Sequence, residues 1–156
     1  RAVPGHWEGD LLCGSNGSQI ATLVERHSRL VMLQKIPDKN SVRVARALAR
    51  KIKQLPKELR RSLAWDRGIE MASHRQFTLA TDVKVYFCDP YSPWQRGSNE
   101  NTNGLLRQYF PKGRDLSVYS QAQLDEVADR LNGRPRQTLG WQTPAERFAE
   151  TVASIG

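Results

Sequence analysis

Residues 6–36 constrain the fold more than any other stretch. HWEGDLLC at 6–13, QIATLVE at 19–25 and the run 30–36 are strand-like, rich in β-branched and other apolar residues. GSNG at 14–17 supplies hairpin turn chemistry, and a second turn falls at 26–29, so the opening reads as a three-strand antiparallel meander. Pro37 and Asp38 end it.

After the meander, strand and helix signals alternate. Ser41 can cap a helix whose Val42, Ala45, Ala49 and Ile52 fall at helical spacing. On another side of that helix Arg43, Arg46, Arg50 and Lys53 form a basic stripe, and Pro56 closes the segment. LAWD at 63–66 is a short strand ending in an acid, followed by Gly68 and a helix over 73–80. KVYFC at 84–88 makes a fifth strand. A Pro/Trp/Gly-rich loop then leads into a helix from about residue 98, with Leu105, Leu106 and Tyr109 on one side and Glu100, Asn103, Gly104 and Arg107 on the other. Gly97 and Gly104 flank Glu100 and leave room beside its carboxylate. Ser120 and Gln123 form a capping-box signature before Leu124, Val127, Ala128 and Leu131; Gly133 and Pro135 mark that helix's end. The tail, 134–150, reads as a loop and a short helix. This order fits an α/β domain with a five-stranded mixed sheet, the first strand central and the fourth parallel beside it.

Composition narrows the function. A chain of 156 residues with 38% hydrophobic content supports one domain, residues 1–156, with its own core. A formal charge of +8 and a pI near 9.9 favour a polyanionic partner, nucleic acid first. With no long apolar run, a membrane role is disfavoured. Cys13 and Cys88 stand alone in hydrophobic stretches and read as small buried residues of a reducing cytoplasm, without zinc-site spacing. The start, RAVPGHWEGD, has neither an initiator Met nor a secretory leader and reads as an excised domain.

In the proposed sheet, a carboxylate within the first strand, one at the end of the fourth and one on a helix crossing that edge converge. These are Asp10, Asp66 and Glu100. Three crowded carboxylates in a basic domain repel one another unless a divalent cation neutralises them. All-oxygen ligands point to Mg²⁺ or Mn²⁺, and two such ions about 3.5–4 Å apart would hold the attacking and leaving oxygens of a phosphodiester. Glu8 projects on the same strand face as Asp10 and is its rival as first ligand. Arg96, Asn103, Arg107, Lys112 and Arg114 around the Glu100 helix, with Arg43, Arg46 and Arg50, are candidate DNA contacts. Trp94 and Tyr91 are candidates for base stacking, and His74 and Glu70 are ambiguous neighbours of the site.

GHWEGDL, TLVERHSR, WDRGIEM, SPWQRGSNENTNGLLRQYFPKG and RPRQTLGWQTPAERF together resemble the catalytic core of bacterial DDE transposases of the insertion-sequence-thirty family, relatives of retroviral integrases. The resemblance covers nearly the whole chain. Thirty-three residues lie between Asp66 and Glu100, a spacing similar to that of the family's acidic triad. It implies a ribonuclease-H-like fold in which Asp10, Asp66 and Glu100 are the catalytic residues and bind two Mg²⁺ (or Mn²⁺) ions. Arg67 stands where many integrase-like cores have Asn. The implied activity is DNA cleavage and 3′-hydroxyl strand transfer on double-stranded DNA, transposon ends and target. The implied setting is a homo-oligomer in the bacterial cytoplasm, nucleoid-associated on DNA, with no small-molecule substrate and no membrane. In family members a helix-turn-helix region precedes the core, and this chain carries none. The alternatives are a hydrolytic ribonuclease-H-like nuclease and a non-catalytic DNA-binding or assembly module of the same fold.

Overall fold

In the computed structural model of the chain, residues 3–37, 40–65, 73–87 and 97–155 are described, residues 41 and 97–101 by backbone alone. The expected meander is β1 (His6–Cys13), β2 (Gln19–Glu25) and β3 (Val31–Ile36). β1 and β2 pair antiparallel from Trp7 opposite Glu25 to Cys13 opposite Gln19, and β2 pairs antiparallel with β3. β4 (Ser62–Trp65) runs parallel to β1, and β5 (Lys84–Phe87) parallel to β4. The sheet order is therefore β3-β2-β1-β4-β5, with the first strand central.

The turns follow local chemistry. Asn16, at φ 59°, takes the left-handed conformation that Asn tolerates in the β1–β2 connection. In the β2–β3 turn a buried acid organises the backbone: Glu25 accepts from the N–H groups of Gly5, His27 and Ser28 and from the Ser28 hydroxyl. Leu30 gives its carbonyl to Glu25 N–H and stays outside β3, which starts one residue later than the sequence suggested.

α1 (Ser41–Ile52) covers one face of the sheet. Its cap is Asn40 rather than Ser41: the Asn40 carboxamide oxygen accepts from Val42 N and Arg43 N at 3.0 and 3.2 Å, and Ser41 is the first helical residue. Val44, Ala45, Leu48 and Ile52 pack with Phe77 of α2 (His74–Thr81) onto Trp7, Ala21, Leu23, Leu63 and Trp65. Gly9 lies between these layers because a Cβ there would stand 2.2 Å from the Trp65 ring. The cover fails toward the end of β1. Along that face Trp7 and Gly9 are buried, Leu11 is half-buried and Cys13 is exposed, correcting the expectation of a buried thiol. Cys88 lies outside the described residues.

On the opposite face α3 (Gly97–Leu106) and α4 (Gln121–Asn132) pack over Leu12, Ile20, Val24, Val31 and Leu33 through Leu106, Leu124 and Leu131, joined by Phe110 from the segment after α3. The Ser120–Gln123 capping box is present in both directions. α4 also closes an edge of the sheet. Gln121 accepts from Lys35 N and donates to Leu33 O, while Asn132 accepts from Val31 N and donates to Val31 O, all at 2.8–2.9 Å. These amides take the place of a sixth strand and satisfy edge groups that would otherwise invite another chain. The tail departs from its expectation: α5 (Pro144–Ile155) has 12 residues and runs past position 150. Thr143 and Glu146 cap it reciprocally, through Glu146 N to Thr143 Oγ1 and Thr143 N to Glu146 Oε1.

Candidate active site

The pleat of β1 sorts its side chains, sending Trp7, Gly9 and Leu11 toward α1 and Glu8, Asp10 and Leu12 toward α3 and α4. Asp10 is thus half-buried on the face that α3 crosses. Its Oδ1 accepts from Leu11 N at 2.8 Å, and its Oδ2 accepts from the Asn103 carboxamide Nδ2 at 2.9 Å. Both carboxylate oxygens are held in a fixed orientation by these donors. The Asn103 Oδ1 is buried and has no hydrogen-bond partner.

Asn103 was expected at the DNA; its described contact is Asp10. It follows Glu100 by three residues on α3, about 4.5 Å along the helix axis. Asp66 follows Trp65, the residue of β4 that pairs with Gly9, directly before Asp10. Asp66 itself lies outside the described residues, and of Glu100 only the backbone is described. No group of three His, Cys, Asp or Glu side chains converges among the described residues, and Asp10 alone of the expected triad has a described side chain. Arg67, Glu70, Tyr91, Trp94 and Arg96 also lie outside them.

Glu8, the rival for first ligand, is 1% exposed and its Oε2 lies 3.4 Å from Arg26 Nε. Its carboxylate is engaged with an arginine at the other end of β1 from Cys13. His74 makes an edge-on contact with Phe87 at 5.2 Å and lies on α2. Arg107 reaches the carbonyls of Cys13 and Phe110, bracing the end of α3 against the end of β1. Lys112 and Arg114 are exposed, with Arg114 donating to the Tyr119 hydroxyl. Arg43, Arg46 and Arg50 are exposed on α1, across the sheet from Asp10, so the stripe and the carboxylate occupy opposite layers. Over α3, a Cβ at Gly104 would meet nothing within 4 Å, in keeping with the clearance expected beside Glu100.

Sequence reasoning missed two features of this face. One is the Asn103–Asp10 bond, for which the three-residue step from Glu100 was the available signal. The other is the Glu8–Arg26 pair, which depends on a turn closing back onto β1, as Arg26 N–H does by donating to His6 O.

Chemically, the oriented carboxylate of Asp10 is a hard oxygen donor of the kind that divalent cations take. Among the described residues no helix is long and apolar enough to cross a membrane.

The chain is similar to known proteins in sequence and in fold. The family profile described as the integrase core domain matches residues 1–93. The transposase InsI for insertion sequence element IS30A of Escherichia coli is 58% identical over 149 residues, covering 96% of this chain and 39% of that protein. The transposase for insertion sequence element IS1086 of Cupriavidus metallidurans is 55% identical over 155 residues, covering 99% and 46%. The chain spans less than half the length of these two relatives. Among solved structures, the catalytic core domain of BIV integrase superposes with a TM-score of 0.72 at 23% identity, covering 97% of each chain. The fold is therefore that of a retroviral integrase core, ribonuclease-H-like, as the resemblance implied, and its sheet has the mixed five-stranded order expected.

Proposed function

Because the chain belongs to the integrase core domain family, we propose that residues 1–156 form the catalytic core of a transposase that cuts DNA and joins freed 3′-hydroxyl ends to target DNA by metal-dependent phosphoryl transfer. The observation that carries this reading is the carboxylate of Asp10, set on the central strand and hydrogen-bonded to Asn103 from the helix that also bears Glu100. Cores of this family work with divalent metal ions. Asp10, Asp66 and Glu100 are the residues that would hold them, as two Mg²⁺ or Mn²⁺ ions. Bound there, the metal would polarise the scissile phosphate and lower the cost of deprotonating the attacking hydroxyl or water.

The chain's own residues do the positioning. Leu11 N–H and the Asn103 amide fix the orientation of the Asp10 carboxylate, so it need not reorganise when phosphate arrives. The net charge of +8 draws DNA to the domain, and Lys112, Arg114, Arg107 and Arg96 lie in the sequence around α3, where they can meet its phosphates. Joining two ends in concert calls for more than one copy of the chain on DNA.

The test is a strand-transfer assay with Mg²⁺ on pre-cut oligonucleotide ends. The parent yields joined products, and Asp10→Asn, which keeps the shape of the side chain, loses a thousandfold or more of the rate, about 4 kcal/mol of transition-state stabilisation. Glu100→Gln behaves alike. Cleavage without joining by the parent would favour a hydrolytic nuclease, and undiminished joining by Asp10→Asn would refute the assignment.

A further inference from the structure

The end of α4, the loop into α5 and the β2–β3 turn gather three arginines, Arg134, Arg136 and Arg29, away from Asp10. Arg134 is braced: its guanidinium donates to the Tyr109 hydroxyl at 2.5 Å and to Gln108 Oε1 at 3.4 Å, and lies 5.5 Å from the Tyr109 ring centre. Arg136 differs. Its Nε and Nη2 are buried, and neither has a hydrogen-bond partner. Burial, then the positive charges of Arg134 and Arg29, pull its guanidinium below the ordinary value. A guanidinium stays protonated in a protein, so buried open donors beside like charges are unfavourable until an anion meets them.

The loop that carries Arg136 is held rigidly. Arg136 N–H donates to Gln142 O, and Arg136 O accepts from Leu139 N and Trp141 N, all at 2.8–3.0 Å. Within this clip Gly140 and Trp141 take left-handed backbone, φ 62° and 69°. That conformation costs a bulky residue strain, and strain of this kind collects at functional sites. Its result is an indole 67% exposed, whereas Trp7 and Trp65 are 0% and 2% exposed. Core packing explains neither the open donors nor the exposed ring.

We propose that Arg136, with Arg134 and Arg29, and Trp141 form a second nucleic-acid contact, in which the Arg136 donors take phosphodiester oxygens and the Trp141 indole stacks on an unpaired base. Charge-assisted guanidinium–phosphate bonds and base–indole stacking together suit single-stranded DNA better than a uniform duplex. The β2–β3 turn closes onto His6, four residues before Asp10, so the contact stands toward the opposite end of β1, on the order of 13 Å along the strand. A strand engaged at Asp10 could extend to it across the α3 layer.

This proposal rests on the reading of the chain as a DNA-acting core, and the test separates the two. Binding of a fluorescent single-stranded oligonucleotide is followed by anisotropy in EDTA, where no chemistry runs, across a salt series. Arg136→Gln is expected to weaken binding about tenfold and to lower the salt slope by about 0.7 for the lost phosphate contact. It is expected to melt no lower than the parent, since an open buried charge is relieved. Trp141→Ala is expected to weaken single-strand binding severalfold with little change for duplex. The proposal is overturned if both variants bind as the parent does. It is equally overturned if Arg136→Gln melts lower while Trp141→Ala binds normally, which makes the loop structural. A change in oligomeric state with DNA binding intact would assign the cluster to an acidic protein surface and overturn it too. A chain that binds through these residues but joins no ends sinks the catalytic reading alone.

Discussion

On one face of the sheet Trp7, Gly9, Ala21, Leu23, Leu63 and Trp65 meet α1 and Phe77 through apolar surface; on the other the same strands present Glu8, Asp10 and Thr22 among Leu12, Ile20 and Val24. The first face is specified by volume. Trp65 fits only because residue 9 has no side chain, and α1 supplies Val44, Ala45, Leu48 and Ile52 to fill the remaining space. The second face is specified by partners. Each polar residue on it carries a named contact: Glu8 with Arg26, Thr22 Oγ1 with the Asp10 carbonyl, and Asp10 with Leu11 and Asn103. A dry, close-packed layer on one side of β1 holds the strand still, and the polar layer on the other side uses that rigidity to aim a carboxylate.

The contrast can be broken from either face. Leu48→Ala, a cavity beneath α1, should cost about 2–5 kcal/mol of stability in a urea melt while leaving strand transfer per folded molecule unchanged. Loss of joining at full occupancy of the folded state would show that the two faces are not separable. Asn103→Ala should do the reverse. It removes an outer partner of Asp10 and should lower metal affinity roughly 10–100-fold, read by Mn²⁺ titration, with a raised metal requirement for joining. Unchanged metal affinity would reduce Asn103 to a helix-docking residue.

The smallest effect lies at the rim of the α3–α4 layer. Asp115 accepts from the Ser117 hydroxyl and N–H and from the Asn16 amide, and these bonds, the Ser117 hydroxyl foremost, hold its carboxyl down at about 2 from 3.8. A depressed carboxyl stabilises the fold fully above its unfolded value and loses that contribution as pH falls through its folded one. The tie between the β1–β2 turn and the segment before α4 should therefore be intact above about pH 4 and weaken toward pH 2. A carboxyl NMR titration of Asp115 with an ordinary midpoint would contradict this.

Much of the fold was legible because it is local. Both β1 and β2 run between the residues their patterns marked, since turn chemistry at GSNG and the alternation of HWEGDLLC act over a few residues. The Ser120–Gln123 box likewise announced α4. Errors arose where a neighbour in space decides. Cys13 continues an apolar run, yet the run outlasts the helix above it. Asn40 and Ser41 are equally good caps by type, and the Asn40 carboxamide is the one that accepts from Val42 N and Arg43 N. TPAE, a reciprocal cap with Pro at the first helical position, marks the start of α5 but not its end, and the helix runs on to Ile155. At the site, Asp10 stood out as an acid within a strand. The bond from Asn103 spans 93 positions in sequence; the three-residue step from Glu100 marks the helix face of Asn103 but does not name its partner.

The central claim is that the polar face of β1 holds a catalytic divalent cation at Asp10. Crystals of the chain soaked in Mn²⁺ and measured at a wavelength where manganese scatters anomalously test it most directly. The account predicts an anomalous peak about 2.0–2.2 Å from an Asp10 carboxylate oxygen, absent in Asp10→Asn crystals treated identically. A manganese peak bound elsewhere, with none at Asp10, would contradict it.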